Sequence, residues 1–61
     1  MLPPVKLSMH MWDDVPSRRF VILNGQRMAE GDRYDGITVV AIERAGVVVE
    51  SNGAKARVPL P

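Results

Sequence analysis

Sixty-one residues carrying 8 basic and 7 acidic side chains, a net charge of +1 and no cysteine form at most one small domain. A chain of this size buries only about 60 % of the surface it exposes when unfolded, so its core is small and its stability modest. The lack of cysteine excludes a disulfide framework and a thiolate metal site. The near-even charge argues against a dedicated nucleic-acid binder, which carries a basic block, and no apolar run approaches the roughly 20 residues of a membrane helix.

The chain opens Met1-Leu2-Pro3-Pro4, without the basic and apolar regions of a signal peptide. Residues 1–4 read as the end of a proline-rich linker, and residues 5–61 as the domain proper, a piece of a longer protein. Residues 5–12 alternate, with Val5, Leu7, Met9 and Met11 on one face and Lys6, Ser8, His10 and Trp12 on the other. That period predicts a strand with one buried side, ended by the turn formers Asp13, Asp14, Pro16 and Ser17. Residues 19–23 form a short apolar run, and Asn24-Gly25 after it is a strong hairpin signal because a type I′ turn needs positive φ at both positions.

Residues 26–28 return antiparallel, and Glu30-Gly31-Asp32 and Asp35-Gly36 mark two further turns. The β-branched run 37–42 is a strand, Ala45-Gly46 turns it into 47–51, and Asn52-Gly53 turns that into 54–58 before Pro59 and Pro61. No dozen-residue window keeps a helical apolar period free of glycine or proline. The fold class is therefore all-β: a compact small sandwich or partly open barrel of about six short antiparallel strands joined by hairpins. The expected core faces are Val5/Leu7/Met9/Met11, Phe20/Ile22, Met28, Ile37/Val39/Ile42, Val47/Val49 and Ala54/Ala56/Val58.

Little in this pattern carries chemistry. Ser8 and His10 invite a nucleophile–base pair, but no orienting carboxylate stands near them except Asp13 or Asp14. One histidine without cysteine falls short of a metal ligand set. Asp13-Asp14 reads as a solvated turn, and Glu30-Gly31-Asp32 lacks the acidic spacing of a calcium loop. No catalytic, cofactor or metal residue is therefore assigned.

Arg18, Arg19 and Arg27 are expected to gather along one edge of the first hairpin, with Arg33 beyond the next turn. They act either as gatekeepers against edge aggregation or as the polar rim of a binding edge. The first strand, next to the linker, is expected to lie on a sheet edge and to accept a partner's strand. This makes Lys6, Ser8, His10, Trp12, Arg18, Arg19 and Arg27 the candidate protein-binding residues, with Trp12 as the aromatic anchor. Two other readings stay open. One is a small β-barrel that binds nucleic acid through Arg18, Arg19, Arg27 and Arg33, with Trp12 or Tyr34 for stacking. The other is a hydrolase using Ser8 and His10.

Leu7-Ser8-Met9-His10, Arg19-Phe20-Val21-Ile22 running into Asn24-Gly25-Gln26, and Glu30-Gly31-Asp32 resemble the C-terminal periplasmic domain of the type II secretion protein B family (general secretion pathway protein B). Ile37, Ile42, Gly46-Val47-Val48 and Gly53 match the same pattern less specifically, and the likeness runs over residues 2–60. The homology-region domain of the C component and pilus-assembly lipoprotein P carry a similar Asn-Gly…Glu-Gly-Asp pattern. The resemblance implies a non-enzymatic assembly factor in the periplasm, whose parent protein is anchored in the inner membrane by a helix absent from this chain. It implies as partners the periplasmic N-terminal domains of the outer-membrane secretin and the A-component ATPase of the same pathway. A homodimer is a further expectation, because an open sheet edge can also pair with its own copy. No cofactor is implied.

Overall fold

The structure, a computed structural model, describes residues 5–61; the linker expected at 1–4 lies outside them. Seven strands follow one another: β1 (Leu7–Met11), β2 (Phe20–Leu23), β3 (Gln26–Met28), β4 (Arg33–Tyr34), β5 (Ile37–Glu43), β6 (Gly46–Ser51) and β7 (Ala54–Pro59). The strand beyond the expected six is the two-residue β4, too short to leave a period in the sequence. A single 3-10 turn, Pro16–Arg18, joins β1 to β2, with Pro16 at its start where a missing N–H is harmless. All pairing is antiparallel, in a three-stranded sheet ordered β1-β2-β3 and a four-stranded sheet ordered β4-β5-β6-β7.

The two sheets pack as a small sandwich around Leu7, Val21, Leu23, Met28, Ile37, Val39, Ile42, Val47 and Val49, with Val5, Trp12, Ala56 and Val58 against this core. Three of the hairpin turns take the form their sequence demands. Asn24-Gly25, Asp35-Gly36 and Asn52-Gly53 each place an Asn or Asp at φ 50–54° before a Gly at φ 79–81°, the type I′ geometry whose twist suits the flanking strands. Between β5 and β6 the connection is Arg44-Ala45, neither with positive φ.

Two faces differ from the sequence expectation, and a β-bulge explains the first. Leu7 pairs with Leu23, but Met9 pairs with Ile22, so β1 carries one extra residue, Ser8. Side-chain direction in a strand has period two, so an inserted residue exchanges the faces beyond it. Leu7 consequently points into the core while Met9 and Met11 point out, each 47 % exposed, and His10 takes the inner side opposite the buried Val21. On β2 the core residues are Val21 and Leu23, and the expected Phe20 and Ile22 lie half-buried on the outer side. The run at 19–23 is apolar on both phases, so its period could not choose. Ala54 is exposed at the start of β7, whereas Ala56 and Val58 lie partly inside as expected.

A second bulge lies between Val39 and Ala41. It allows Val39 and Ile42, three apart, to share the core face while Val40 is exposed. At the other end of the β5–β6 hairpin, Gly46 sits opposite Pro59 with the β7 backbone pressed against it. A Cβ there would run into the Val58 carbonyl oxygen and lie 3.2 Å from the Pro59 Cα.

Gly46→Ala is expected to lower stability by about 2 kcal/mol, since backbone rather than a side chain must move. Gly53→Ala, whose added methyl meets nothing within 4 Å, is expected to cost about 1 kcal/mol from its positive φ alone. Urea unfolding of the two variants measures both, and equal midpoints would contradict the close approach at Gly46.

Candidate protein-binding edge

β1 pairs on one side only, with β2, and leaves its other side as an edge of the three-stranded sheet. Its start is fixed by the hairpin turn that follows β2: Asn24 Oδ1 accepts from the Lys6 N–H at 2.7 Å, and the Asn24 N–H donates to the Lys6 carbonyl at 2.9 Å. The Asn24-Gly25 turn thus serves two purposes. It reverses the chain and extends the pairing of β1 past the bulge. Ser8, exposed at the bulge, donates its hydroxyl to the Ile22 carbonyl at 3.4 Å.

His10, half-buried, reaches across to the other sheet, where Nε2 lies 2.6 Å from the Glu43 carbonyl oxygen and 3.2 Å from that of Gly46. Both are acceptors, so Nε2 carries the proton and donates. This ring is a clamp between β1 and the β5–β6 turn. The Ser8 hydroxyl and the His10 ring are each engaged with backbone carbonyls, and no hydrogen bond joins them among the described residues. Nor do any three His, Cys, Asp or Glu of the described residues gather as a metal site.

At the far end of β1, Trp12 lies partly buried against the core beneath two guanidinium groups: Arg19 at 4.9 Å and Arg44 at 4.5 Å from the ring centroid. Arg19 is held from three sides. Its Nε donates to the Asp13 carbonyl at 2.7 Å, one terminal nitrogen lies 3.4 Å from Glu30 Oε2, and the ring lies beneath it. The same Glu30 oxygen accepts from the Ile42 N–H at 2.7 Å. Glu30 therefore satisfies a backbone donor of β5 that no strand covers and ties it to the three-stranded sheet through Arg19.

The rest of the Glu30-Gly31-Asp32 turn supports this placement. Asp32 Oδ2 accepts from the Ala29 N–H at 2.9 Å, Gly31 N–H donates to Val39 O at 2.8 Å, and Val39 N–H donates to Asp32 O at 2.9 Å. Sequence reasoning found the turn but not the role of its glutamate. A carboxylate in that turn signals only polarity until the β5 bulge aims Ile42 at it.

The arginines have separate partners. Arg18 is exposed on the 3-10 turn, Arg19 belongs to the Trp12 corner, and Arg27 lies 4.1 Å over the Phe20 ring on the outer side of the three-stranded sheet. Arg33 stands on β4 of the other sheet, lining a shallow cleft of about 170 Å³ with Thr38, Glu50 and Ser51. From the sequence Met9 and Met11 read chiefly as core, with a pliable contact surface as the other reading, while Phe20, Ile22 and Arg44 were not named as site residues. The bulge hid the outward direction of the methionines, the two apolar phases of 19–23 hid that of Phe20 and Ile22, and Arg44 lies in a turn that carries no motif.

A family model for type II secretion system protein B matches residues 2–60. The chain belongs to the type II secretion system protein B family. General secretion pathway protein B of Dickeya dadantii is 40 % identical over 53 residues, which are 85 % of this chain and 24 % of that protein. The chain thus spans about a quarter of the length of that curated relative. The crystal structure of Dickeya dadantii GspB from the type 2 secretion system superposes with a TM-score of 0.80 at 34 % identity, covering 90 % of this chain and 67 % of that one.

In this member of the protein B family, Glu30→Ala is expected to cost about 2 kcal/mol, because it strands the Ile42 N–H and the half-buried Arg19 together. Glu30→Gln keeps an acceptor for Ile42 and is expected to lose less than half as much. Chemical denaturation with amide exchange at Ile42 reads both effects; an unprotected Ile42 amide in the native protein would remove Glu30 from this role.

Proposed function

We propose that this domain is a non-enzymatic protein-binding module of the type II secretion machinery, and that it takes a segment of its partner as an added strand along the open edge of β1. The partner is the set of periplasmic N-terminal domains of the outer-membrane secretin, which the domain helps to place or stabilise. The A-component ATPase of the pathway is a second partner, and the site of action is the periplasm, where the parent protein is held by an inner-membrane anchor. Membership of the protein B family supports the secretion role. The single observation that carries the docking mode is that β1 is an edge strand whose outward side chains are the exposed Met9 and Met11.

An edge strand presents unpaired N–H and C=O groups, and a partner strand satisfies them whatever its sequence. Specificity then comes from side chains that alternate along the added strand and lie beside those of the edge. Met9 and Met11 suit that task, since unbranched thioether side chains reshape themselves around a partner's contours. A single contact of this size has an affinity in the micromolar range, about −8 kcal/mol. Many copies around a ring compensate through avidity.

Titration of the isotope-labelled domain with the soluble periplasmic N-terminal domains of the cognate secretin is expected to shift the amide signals of residues 6–12 above all others. Shifts centred on β7 would keep the partner and discard the β1 edge. No shift at millimolar partner would discard the secretin, leaving the periplasmic region of the ATPase as the partner to test. Replacing Met9 and Met11 together by Ser is expected to weaken binding about tenfold while the spectrum of the free domain stays folded, as both side chains are half outside the protein already.

A further inference from the structure

The end of β1 carries a charge that the protein itself leaves unanswered. Arg44 is exposed, sits in the two-residue turn between β5 and β6, and stacks over Trp12 at 4.5 Å. Three acidic residues of the neighbouring elements have other contacts, while Asp14, two residues past Trp12, is exposed to solvent. Its neighbour Glu43 forms an ion pair with Arg57, Oε1 to Nε at 3.0 Å, and Glu30 is shared between Arg19 and the Ile42 N–H. Asp13 Oδ1 accepts from the Val15 N–H at 2.8 Å. Among the described residues no carboxylate forms an ion pair with Arg44.

Three features make this more than a stray surface charge. The guanidinium rests on an aromatic ring that is itself packed on the core, so much of the entropy of fixing a long side chain is already spent. The turn bearing it is clamped to β1 by His10, through the carbonyls of Glu43 and Gly46 on either side of Arg44-Ala45. Finally, Trp12 directly follows the last residue of β1, so a strand laid along that edge runs past the Trp12–Arg44 corner. Lys6, exposed at the opposite end, adds a second positive charge to the same edge. A planar fork held in place favours the bidentate geometry of a carboxylate.

We propose that the Trp12–Arg44 corner is a carboxylate-binding subsite of the β1 edge, receiving an Asp or Glu side chain of the partner segment whose apolar positions lie over Met9 and Met11. The partner segment is thus an amphipathic strand with an acidic residue at the end that meets Trp12. This rests on the reading of β1 as the docking edge, and it sets the register of the added strand: sliding by two residues keeps the apolar contacts but removes the acid from Arg44. The contribution is that of a rim charge, which acts on association rate and salt dependence more than on raw affinity.

The test compares the wild-type chain with Arg44→Met, Arg44→Lys and Arg44→Glu in titrations against the soluble periplasmic N-terminal domains of the cognate secretin, at low and at moderate salt. Arg44→Met keeps an apolar cover over Trp12 without the charge. It is expected to bind about fivefold more weakly than wild type at low salt, with a flatter salt dependence and an unchanged unfolding midpoint. Arg44→Lys is expected to fall between the two. Arg44→Glu is expected to bind weakest and to be restored by changing one acidic residue of the partner to Arg. If Arg44→Met binds as tightly as wild type, Arg44 merely covers the tryptophan and the subsite is overturned while the docking edge stands. If the wild-type chain itself does not bind these domains, the secretin reading falls and the subsite falls with it.

Discussion

Between Leu7 and Met9 the ladder of β1 and β2 advances two residues on one strand and one on the other. Which side chains β1 turns inward and outward beyond Leu7 follows from that step. Without it Met9 and Met11 would share the core with Leu7, and His10 would face solvent. With it, the histidine turns inward to bind the carbonyls of Glu43 and Gly46, and the methionines join Phe20 and Ile22 outside. A bulge forfeits some regular pairing and bends its strand. Here the loss is partly offset locally, since the Ser8 hydroxyl donates to the Ile22 carbonyl and Asn24 closes the ladder at Lys6.

The same step helps a sandwich of this size stay together. With no disulfide, and with nine buried apolar residues as its core, the protein joins its sheets by side chain to backbone bonds at two places. His10 supplies one and Glu30 the other, the latter reaching the Ile42 N–H while pairing with Arg19. The Glu30 bond ends on the Ile42 N–H, a main-chain donor that no strand covers, and the His10 bonds end on the two carbonyls that flank the β5–β6 turn. Satisfying such groups matters more than the bond's own strength, because a buried donor left alone costs more than a bond contributes. The Trp12 ring, packed against the core, lies beneath Arg19, which pairs with Glu30, and beneath Arg44, in the turn that His10 holds.

The parts of this architecture written in local residue choice were readable without the structure. Asn24-Gly25 and Asn52-Gly53 announce their hairpins because few other pairs accept positive φ twice. The run 37–42 announces a strand through β-branching, and an edge position for the first strand was anticipated from its place beside the linker. Faces were harder. The clean alternation from Val5 to Met11 pointed at the wrong partners for Met9 and Met11, because a bulge is a property of two strands in register and leaves no mark on one of them. Phe20-Val21-Ile22-Leu23 offered two equal phases, and only pairing with Met28 and Leu7 selected Val21 and Leu23. On β5, by contrast, Val39 and Ile42 were placed together correctly, although a strict period of two would have set Ile42 beside Val40. The family itself was legible in short motifs, but what Glu30 and Arg44 touch depends on residues 11 or more positions away.

The two outer faces of the sandwich are built on opposite plans. On the four-stranded sheet the outward positions include the Glu43–Arg57 ion pair and the exposed Val40, with Glu50 across from Lys55 in the register of β6 and β7. Such a face is content in water and gives a passing strand little to hold. The three-stranded sheet instead presents Met9, Met11, Phe20 and Ile22, with Arg27 stacked on the phenylalanine. Apolar surface left open beside a free edge is a hazard, because it invites a second copy as readily as a partner. Ser8 in its bulge and the exposed Lys6 counter that hazard by spoiling the flatness and neutrality that self-pairing needs. A partner strand that carries apolar residues and an acid answers all of these features at once, whereas a second copy of β1 meets methionine with methionine but brings Lys6 toward a cationic corner. On the docking mode proposed above, these features favour a foreign strand over a second copy.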